Sequence, residues 1–261
     1  MYVKEVTVEN QVGLHARPAT FFIQKANEFK SSIWVEKEER RVNAKSLLGV
    51  LSLGIVGGTT IRIIADGADE QAAVDGLIKL VDIAPEEPGA IDFIDQVKGE
   101  AVVSIAHTMA DYEAAKTAIA HGASHVTHLY NAMPPLNHRN PGVIGAARDA
   151  ENVHPELICD GVHIHPSVIR ATFAMFGAKR MILISDSMRA TGLEDGEYTL
   201  GGQPVTVRGN RATLHDGTIA GSATNLMDCM RFCVKTVGLP LEDAVMCATE
   251  NPAKEIGIFN E

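Results

Sequence analysis

Over the first eighty residues the period of the hydrophobic positions alternates between that of strands and that of helices. Runs rich in β-branched residues at 2–8, 32–36 and 60–65 are separated by segments with helical spacing. Residues 16–29 read as one helix. Ala73, Leu77, Leu80 and Val81 fall at i, i+4, i+7 and i+8, which predicts one buried stripe on a closing helix opened by Ala68 or Asp69. Strands and helices in this arrangement predict a small α+β fold, an open-faced β-sandwich.

The pattern changes after a turn-rich I-A-P-E-E-P-G stretch at 83–89. Beyond it, four apolar runs at 101–107, 125–128, 157–160 and 181–186 each end in polar residues, and helical spacing separates most of them. Near-continuous apolar strands alternating with helices predict parallel strands covered on both faces, and the C-terminal ends of such strands are where a (β/α) barrel keeps its chemistry. A whole barrel takes roughly 250 residues. Residues 83–261 are too few for one, and 196–220 reads as glycine-punctuated hairpins, so the expectation is an α/β partial (β/α) barrel. The predicted organisation is therefore two domains, 1–82 and 83–261.

Composition sharpens this division. The 261 residues carry 23 Lys and Arg against 33 Asp and Glu, a formal charge of −10 that argues against a broad nucleic-acid-binding face. Residues 1–82 are close to neutral, whereas nine of the ten histidines and all four cysteines lie beyond them. A hydrophobic content of 46% suffices for real cores. No apolar run approaches the ~18 residues of a membrane span, and the opening residues lack the apolar segment of a signal peptide. The expectation is a cytoplasmic protein without membrane insertion. Cys159, Cys229, Cys233 and Cys247 form no C-x-x-C pair and read as reduced thiols.

Candidate chemistry begins with G-L-H-A-R-P-A-T at 13–20, which puts His15 just before a helix whose first turn contains Pro18. Free N–H groups and the positive end of the helix dipole stabilise a phosphoryl group carried on an imidazole, and Arg17 adds a charge-assisted contact. The bland alternative is a surface histidine in a capping turn. Together with N-A-K-S-L-L-G-V-L-S-L-G at 43–54, the motif resembles the histidine phosphocarrier protein (HPr) of the bacterial sugar phosphotransferase system, over essentially all of residues 1–82. The resemblance implies that His15 takes phosphate from Enzyme I and passes it to Enzyme IIA proteins, assisted by Arg17 and without any cofactor. It also implies that Ser46 is the regulatory serine that HPr kinase phosphorylates in some bacteria. Ser46 begins a short apolar helix, where a phosphate would favour the helix N-terminus while charging a docking surface, and a plain N-cap serine is the alternative. Leu47 and Leu48 are either docking residues or core.

In the second segment His107, His128, His163 and Asp186 each end or closely follow a proposed strand, so a barrel would bring them to one rim. Two imidazoles and a carboxylate suit a divalent ion that acidifies bound water, with a second carboxylate to shuttle its proton; scattered surface histidines are the alternative. S-I-A-H at 104–107, T-H-L-Y-N-A-M at 127–133, D-G-V-H at 160–163 and S-D at 185–186 resemble N-acetylglucosamine-6-phosphate deacetylase of the amidohydrolase superfamily, over about 83–258. The resemblance implies that His107 and His128 are ligands of a zinc or iron ion. By the same resemblance Asp186 is the general base, and Asn131, Ala132, Arg139 and His163 bind an amino-sugar 6-phosphate. Arg139 would reach across a dimer interface, which makes the chain a homo-oligomer. The segment 217–225 resembles the family's G-T-x-x-G-S stretch, or is a glycine-rich turn with an N-cap.

The chain also departs from that family. The match starts at the end of a strand well inside the family's barrel, and no E-G-P segment, source of the family's glutamate ligand, occurs. Glu86 and Glu87 are the nearest carboxylates. Three readings follow: a phosphocarrier, a metal-dependent deacetylase, or a sugar-phosphate-binding module without catalysis. His121, His125, His138, His154, His165 and His215 fit none of these roles and are expected to be solvated or structural.

Overall fold

A computed structural model describes residues 1–8, 22–23, 26–27, 29–56, 59–99, 101–200 and 203–259. Two compact units divide the chain: Met1–Val81 with Pro88–Ala101, and Asp82–Glu87 with Val102–Glu261. Pro88–Ala101, which the sequence reading puts in the second segment, thus groups with the first.

The first unit contains a four-stranded antiparallel sheet of β1 (Tyr2–Val8), β2 (Ser32–Lys37), β3 (Arg40–Asn43) and β4 (Thr59–Asp66), ordered β1-β4-β2-β3. Tyr2 faces Ala65 and Ser32 faces Asp66. In that register Ile33 and Val35 of β2 and Ile61, Ile63 and Ala65 of β4 share one side. They bury there with Ala26, Leu53, Ile55, Ala73 and Val74. The other side is mixed: Ile64 is buried there, Arg62 pairs with Glu36, and the Arg41 guanidinium lies 4.5 Å above the Trp34 ring. β3 is an addition to the expected strands. It joins β2 through a two-residue turn in which Glu38 takes a left-handed φ of 54°, so no glycine advertises the hairpin. Most of the helix expected at 16–29 lies outside the described residues; Phe22, Ile23, Ala26 and Asn27 within it are helical.

Two further helices are described in the first 80 residues, α1 (Leu47–Ser52) and α2 (Glu70–Lys79). The closing helix was expected to run through Val81. Instead Leu80–Ile83 forms β5, and on the helix itself Ala73 and Val74 are buried with Leu77 packed against the same core. The i, i+7, i+8 spacing is real, but the backbone there is already that of a strand. A further helix, α3 (Ala90–Val97), buries Ala90 and Ile94.

The second unit is built on a five-stranded sheet in chain order, β5, β6 (Val102–Ile105), β7 (Ala123–Val126), β8 (His154–Ile158) and β9 (Ile182–Ile184). β6 through β9 pair in parallel. Helices α4 (Tyr112–His121), α5 (Gly142–Asp149) and α6 (Pro166–Phe176) connect them. Asp111 caps α4 by accepting the Ala114 N–H, and Pro166 opens α6, where its missing N–H breaks no hydrogen bond. β7 begins two residues before the apolar run, at Ala123, and β8 begins three before it because His154 and Glu156 lie within the strand and interrupt the pattern.

Residues 196–220 form the expected hairpins: β10 (Gly196–Leu200), β11 (Gln203–Arg208), β12 (Arg211–Thr213) and β13 (Ile219–Ser222) make a separate antiparallel sheet over Val205, Val207 and Ala212. Then come α7 (Leu226–Phe232), a π-helical turn at Cys233–Val237, α8 (Leu241–Ala248) and α9 (Glu250–Glu255). All four cysteines are buried free thiols. Among the described residues no helix is long and apolar enough to cross a membrane.

Candidate functional site

In the first unit, His15 and Arg17 lie outside the described residues. Ser46 is described: it is the N-cap of α1, in extended conformation, and its Oγ accepts the Gly49 N–H at 3.2 Å. Leu48, two residues along, is 82% exposed, whereas Leu47 is half-buried. An exposed leucine beside an exposed cap hydroxyl makes a small apolar surface whose edge a phosphate on Ser46 would charge.

In the second unit the loops that follow the strands bring two of the predicted residues together. His107 and His128 follow β6 and β7, with their Nε2 atoms 2.8 Å apart and their rings edge to face at 4.5 Å. Both take left-handed φ angles, 44° and 34°, as do Tyr130 (77°), Ala132 (52°) and Asp186 (50°). Five of the six non-glycine residues with positive φ among those described therefore sit on loops leaving the strands. Strain concentrated in this way marks a surface the rest of the fold holds in place, as functional sites require. The loops also brace one another: the Thr108 N–H donates to the Ala132 carbonyl at 3.0 Å, and Asn131 Nδ2 donates to the His128 carbonyl at 3.3 Å.

His163 is anchored by its neighbour Asp160. The Asp160 carboxylate is buried and accepts from the Val162 and His163 N–H groups and from His163 Nδ1. Burial opposes its ionisation, but those hydrogen bonds outweigh it and hold its pKa below the ordinary carboxylate value. The signal was present in D-G-V-H, where an aspartate three residues before a histidine can fold back on it. Arg139 stays apart. Its guanidinium meets the His138 ring at 2.7 Å and lines a separate cleft with Asp111, Tyr112, Glu113 and Asp149. Glu86 is engaged as well, bonding the Thr108 hydroxyl and the Met109 N–H.

The described residues do not make up a metal site. Two imidazoles ligating one zinc ion at 2.0–2.1 Å each would hold their nitrogens ~3.3 Å apart. At 2.8 Å, His107 and His128 are instead at hydrogen-bond distance. Among the described residues no group of three or more His, Cys, Asp or Glu side chains could hold an ion.

A second cluster uses histidines that were expected to be solvated or structural. His125 is 2% exposed. Its Nε2 lies 3.1 Å from Glu156 and its Nδ1 3.5 Å from Glu255, and His154 Nδ1 lies 2.7 Å from the other Glu255 oxygen. These contacts, that of His154 included, are ion-pair distances without hydrogen-bond alignment. Burial alone would lower the His125 pKa, but the two carboxylates outweigh it and raise it to about 9; the same pairs bring Glu255 down to about 2 against its own burial. The cluster ties α9 to β7 and β8, a structural role.

Comparison with known proteins identifies both segments. The family described as "PTS HPr component phosphorylation site" matches residues 2–82, and the amidohydrolase family matches residues 57–261. The chain is 39% identical to the N-acetylglucosamine-6-phosphate deacetylase of Bacillus subtilis over 259 residues, covering 93% of this chain and 65% of that protein. It is 34% identical to the N-acetylgalactosamine-6-phosphate deacetylase of Escherichia coli O157:H7, covering 69% of this chain and 48% of that protein. The crystal structure of N-acetyl-D-glucosamine-6-phosphate deacetylase from Mycobacterium smegmatis superposes with a TM-score of 0.66 at 38% identity, over 72% of this chain and 51% of that one. The chain thus spans about half to 65% of the length of these relatives.

Proposed function

Because the chain belongs to the amidohydrolase family and carries an HPr segment ahead of its deacetylase-like part, we propose that it is a phosphocarrier of the sugar phosphotransferase system joined to a partial (β/α) barrel that recognises amino-sugar 6-phosphates. In this reading residues 1–82 form the open-faced sandwich of a carrier. His15 accepts the phosphoryl group from Enzyme I and hands it to Enzyme IIA proteins, with Arg17 beside it. The observation that carries the proposal is the HPr match over residues 2–82, which contains the G-L-H-A-R-P-A-T motif.

Ser46 fits the regulatory part of the reading. A phosphate on its Oγ would sit at the start of α1 and place negative charge beside exposed Leu48, so a kinase acting there would weaken docking of an acidic or apolar partner surface. Incubating the full chain with Enzyme I and phosphoenolpyruvate and reading intact mass tests the carrier function. One phosphate on wild type and none on His15→Ala is the expected result; a folded wild-type chain that stays unphosphorylated refutes it.

A second reading, hydrolysis of N-acetylglucosamine 6-phosphate, draws on the convergence of His107 and His128. Members of the family are metal-dependent, and in this reading Asp186 would be the base and Asn131, Ala132, Arg139 and His163 the sugar-phosphate contacts. The described residues supply two candidate ligands, one short of the usual catalytic set of three. The expected outcome is therefore no acetate release from the chain alone with zinc or iron added. Release that Asp186→Asn abolishes would favour this second reading instead.

A further inference from the structure

We propose that Asp160 and Ser222 form a buried bridge that positions two site residues at once, His163 by its ring and Asp186 by its backbone. Its relevance to function rests on the reading above that these strand ends take an amino-sugar phosphate; the bridge itself does not. Asp160 follows β8 and Ser222 ends β13, which belongs to the other sheet of the same unit.

The Asp160 carboxylate has only acceptors to offer, and four donors meet it: the Val162 N–H at 2.8 Å, the His163 N–H at 2.9 Å, His163 Nδ1 at 2.7 Å and the Ser222 hydroxyl at 3.1 Å. An acceptor-only group facing Nδ1 requires the proton on Nδ1, which leaves Nε2 as the ring nitrogen open to a ligand. Second-row carboxylates fix the tautomer and orientation of functional histidines in this way.

Ser222 is 1% exposed, and its hydroxyl also accepts the Thr224 N–H at 3.0 Å. With its backbone it donates to the Asp186 carbonyl at 2.9 Å and accepts from the Met188 N–H at 2.8 Å, so it grips the segment on both sides of Ser187. Asp186 is held at a φ of 50°, a left-handed conformation that costs a non-glycine residue energy and that these backbone bonds hold in place. The side chain of Ser222 is thus tied to the group that sets His163, while its backbone is tied to the residue that presents Asp186. Neither partner touches a substrate in this scheme; both are positioning residues.

Nitrogen NMR of the full chain labelled in histidine and backbone tests the bridge. In Asp160→Asn, Oδ1 can keep the two N–H bonds of the turn while the amide Nδ2 replaces Oδ2, and two donors then face each other across His163 Nδ1. The expected result is that neutral His163 carries its proton on Nδ1 in wild type and on Nε2 in Asp160→Asn, with the His125 ring signals unchanged as evidence of an intact fold. An unchanged His163 tautomer in the folded variant overturns the proposal. Should the variant not fold, the wild-type spectrum decides: a proton on Nε2 overturns the bridge.

The link to Asp186 has its own readout. Asp160→Asn should shift the amide signals of Asp186, Ser187 and Met188 in wild type but leave them in place in a Ser222→Ala background, where the hydroxyl link is gone. Shifts of equal size in both backgrounds refute the relay. Titration with glucosamine 6-phosphate separates the bridge from the functional reading. A tautomer switch without any glucosamine 6-phosphate binding by wild type would sink the reading and keep the bridge. With binding, Asp160→Asn is expected to weaken it about 10- to 100-fold.

Discussion

Replacing Glu255 by Gln removes one charge from the buried cluster and leaves its shape almost unaltered. Glu255 is 8% exposed at the side chain and faces His154 at 2.7 Å and His125 at 3.5 Å. Its carboxyl lies at about 2 against an ordinary 4.5. That difference corresponds to roughly 3 kcal/mol of native-state stabilisation, near the lower edge of the ~3–5 kcal/mol seen when one member of a buried ion pair is removed. For a unit of this size about 3 kcal/mol lowers Tm by ~6–12 °C.

The pH dependence of that loss is equally specific. Glu255 contributes its stability in full above its unfolded value of 4.5 and loses it as pH falls toward about 2; His125 contributes below its unfolded value of 6.5 and loses it as pH rises through about 9. The difference in Tm between wild type and Glu255→Gln should therefore be widest between pH 4.5 and 6.5 and shrink on both sides. Calorimetry of the full chain across pH 3–10 measures it. Glu250→Gln, on the same helix but in an exposed pair with Lys254, is the control and should move Tm by little, since such pairs contribute ~0–1 kcal/mol. A Glu255→Gln loss that is flat with pH, or no larger than that of the control, would refute the charged-cluster reasoning.

Other expectations are simpler to test. Ser46→Ala removes the α1 cap and should cost about 1 kcal/mol locally, read as roughly fivefold faster amide exchange at Gly49 and Val50. Gly161 has a φ of +77°, and a Cβ there would lie 2.6 Å from the Phe232 ring, so Gly161→Ala should destabilise the second unit by at least ~1–3 kcal/mol and disturb the His163 ring signals. Cys159, Cys229, Cys233 and Cys247 are buried, and burial pushes the Cys229 and Cys247 thiols up to about 12. A thiol reagent should therefore react with none of them in the native chain and with all four after unfolding; fast labelling of the native chain would contradict the burial.

Local pattern made much of this protein legible. Period-2 alternation located β1, β2 and β4, and the polar residues closing apolar runs pointed to the strand ends where His107, His128, His163 and Asp186 now stand. Less legible was the start of β8, because His154 and Glu156 break the apolar run there and are tolerated only through partners that a linear pattern does not display. The closing helix failed for a related reason. Leu80 and Val81 obey helical spacing, yet the backbone there is already the strand β5.

The sequence by itself determined that the chain has two parts of different character, where each candidate reactive group lies along it, and which loops carry them. These follow from short-range rules, since turn chemistry, period and capping act within a few residues. Only the tertiary structure decided which buried polar groups meet. Asp160 and Ser222 are 62 residues apart and His125 and Glu255 are 130 apart. Whether a buried carboxylate is a liability or a brace depends on donors brought to within about 3 Å by packing, and nothing in the spacing of residues along a chain fixes that distance.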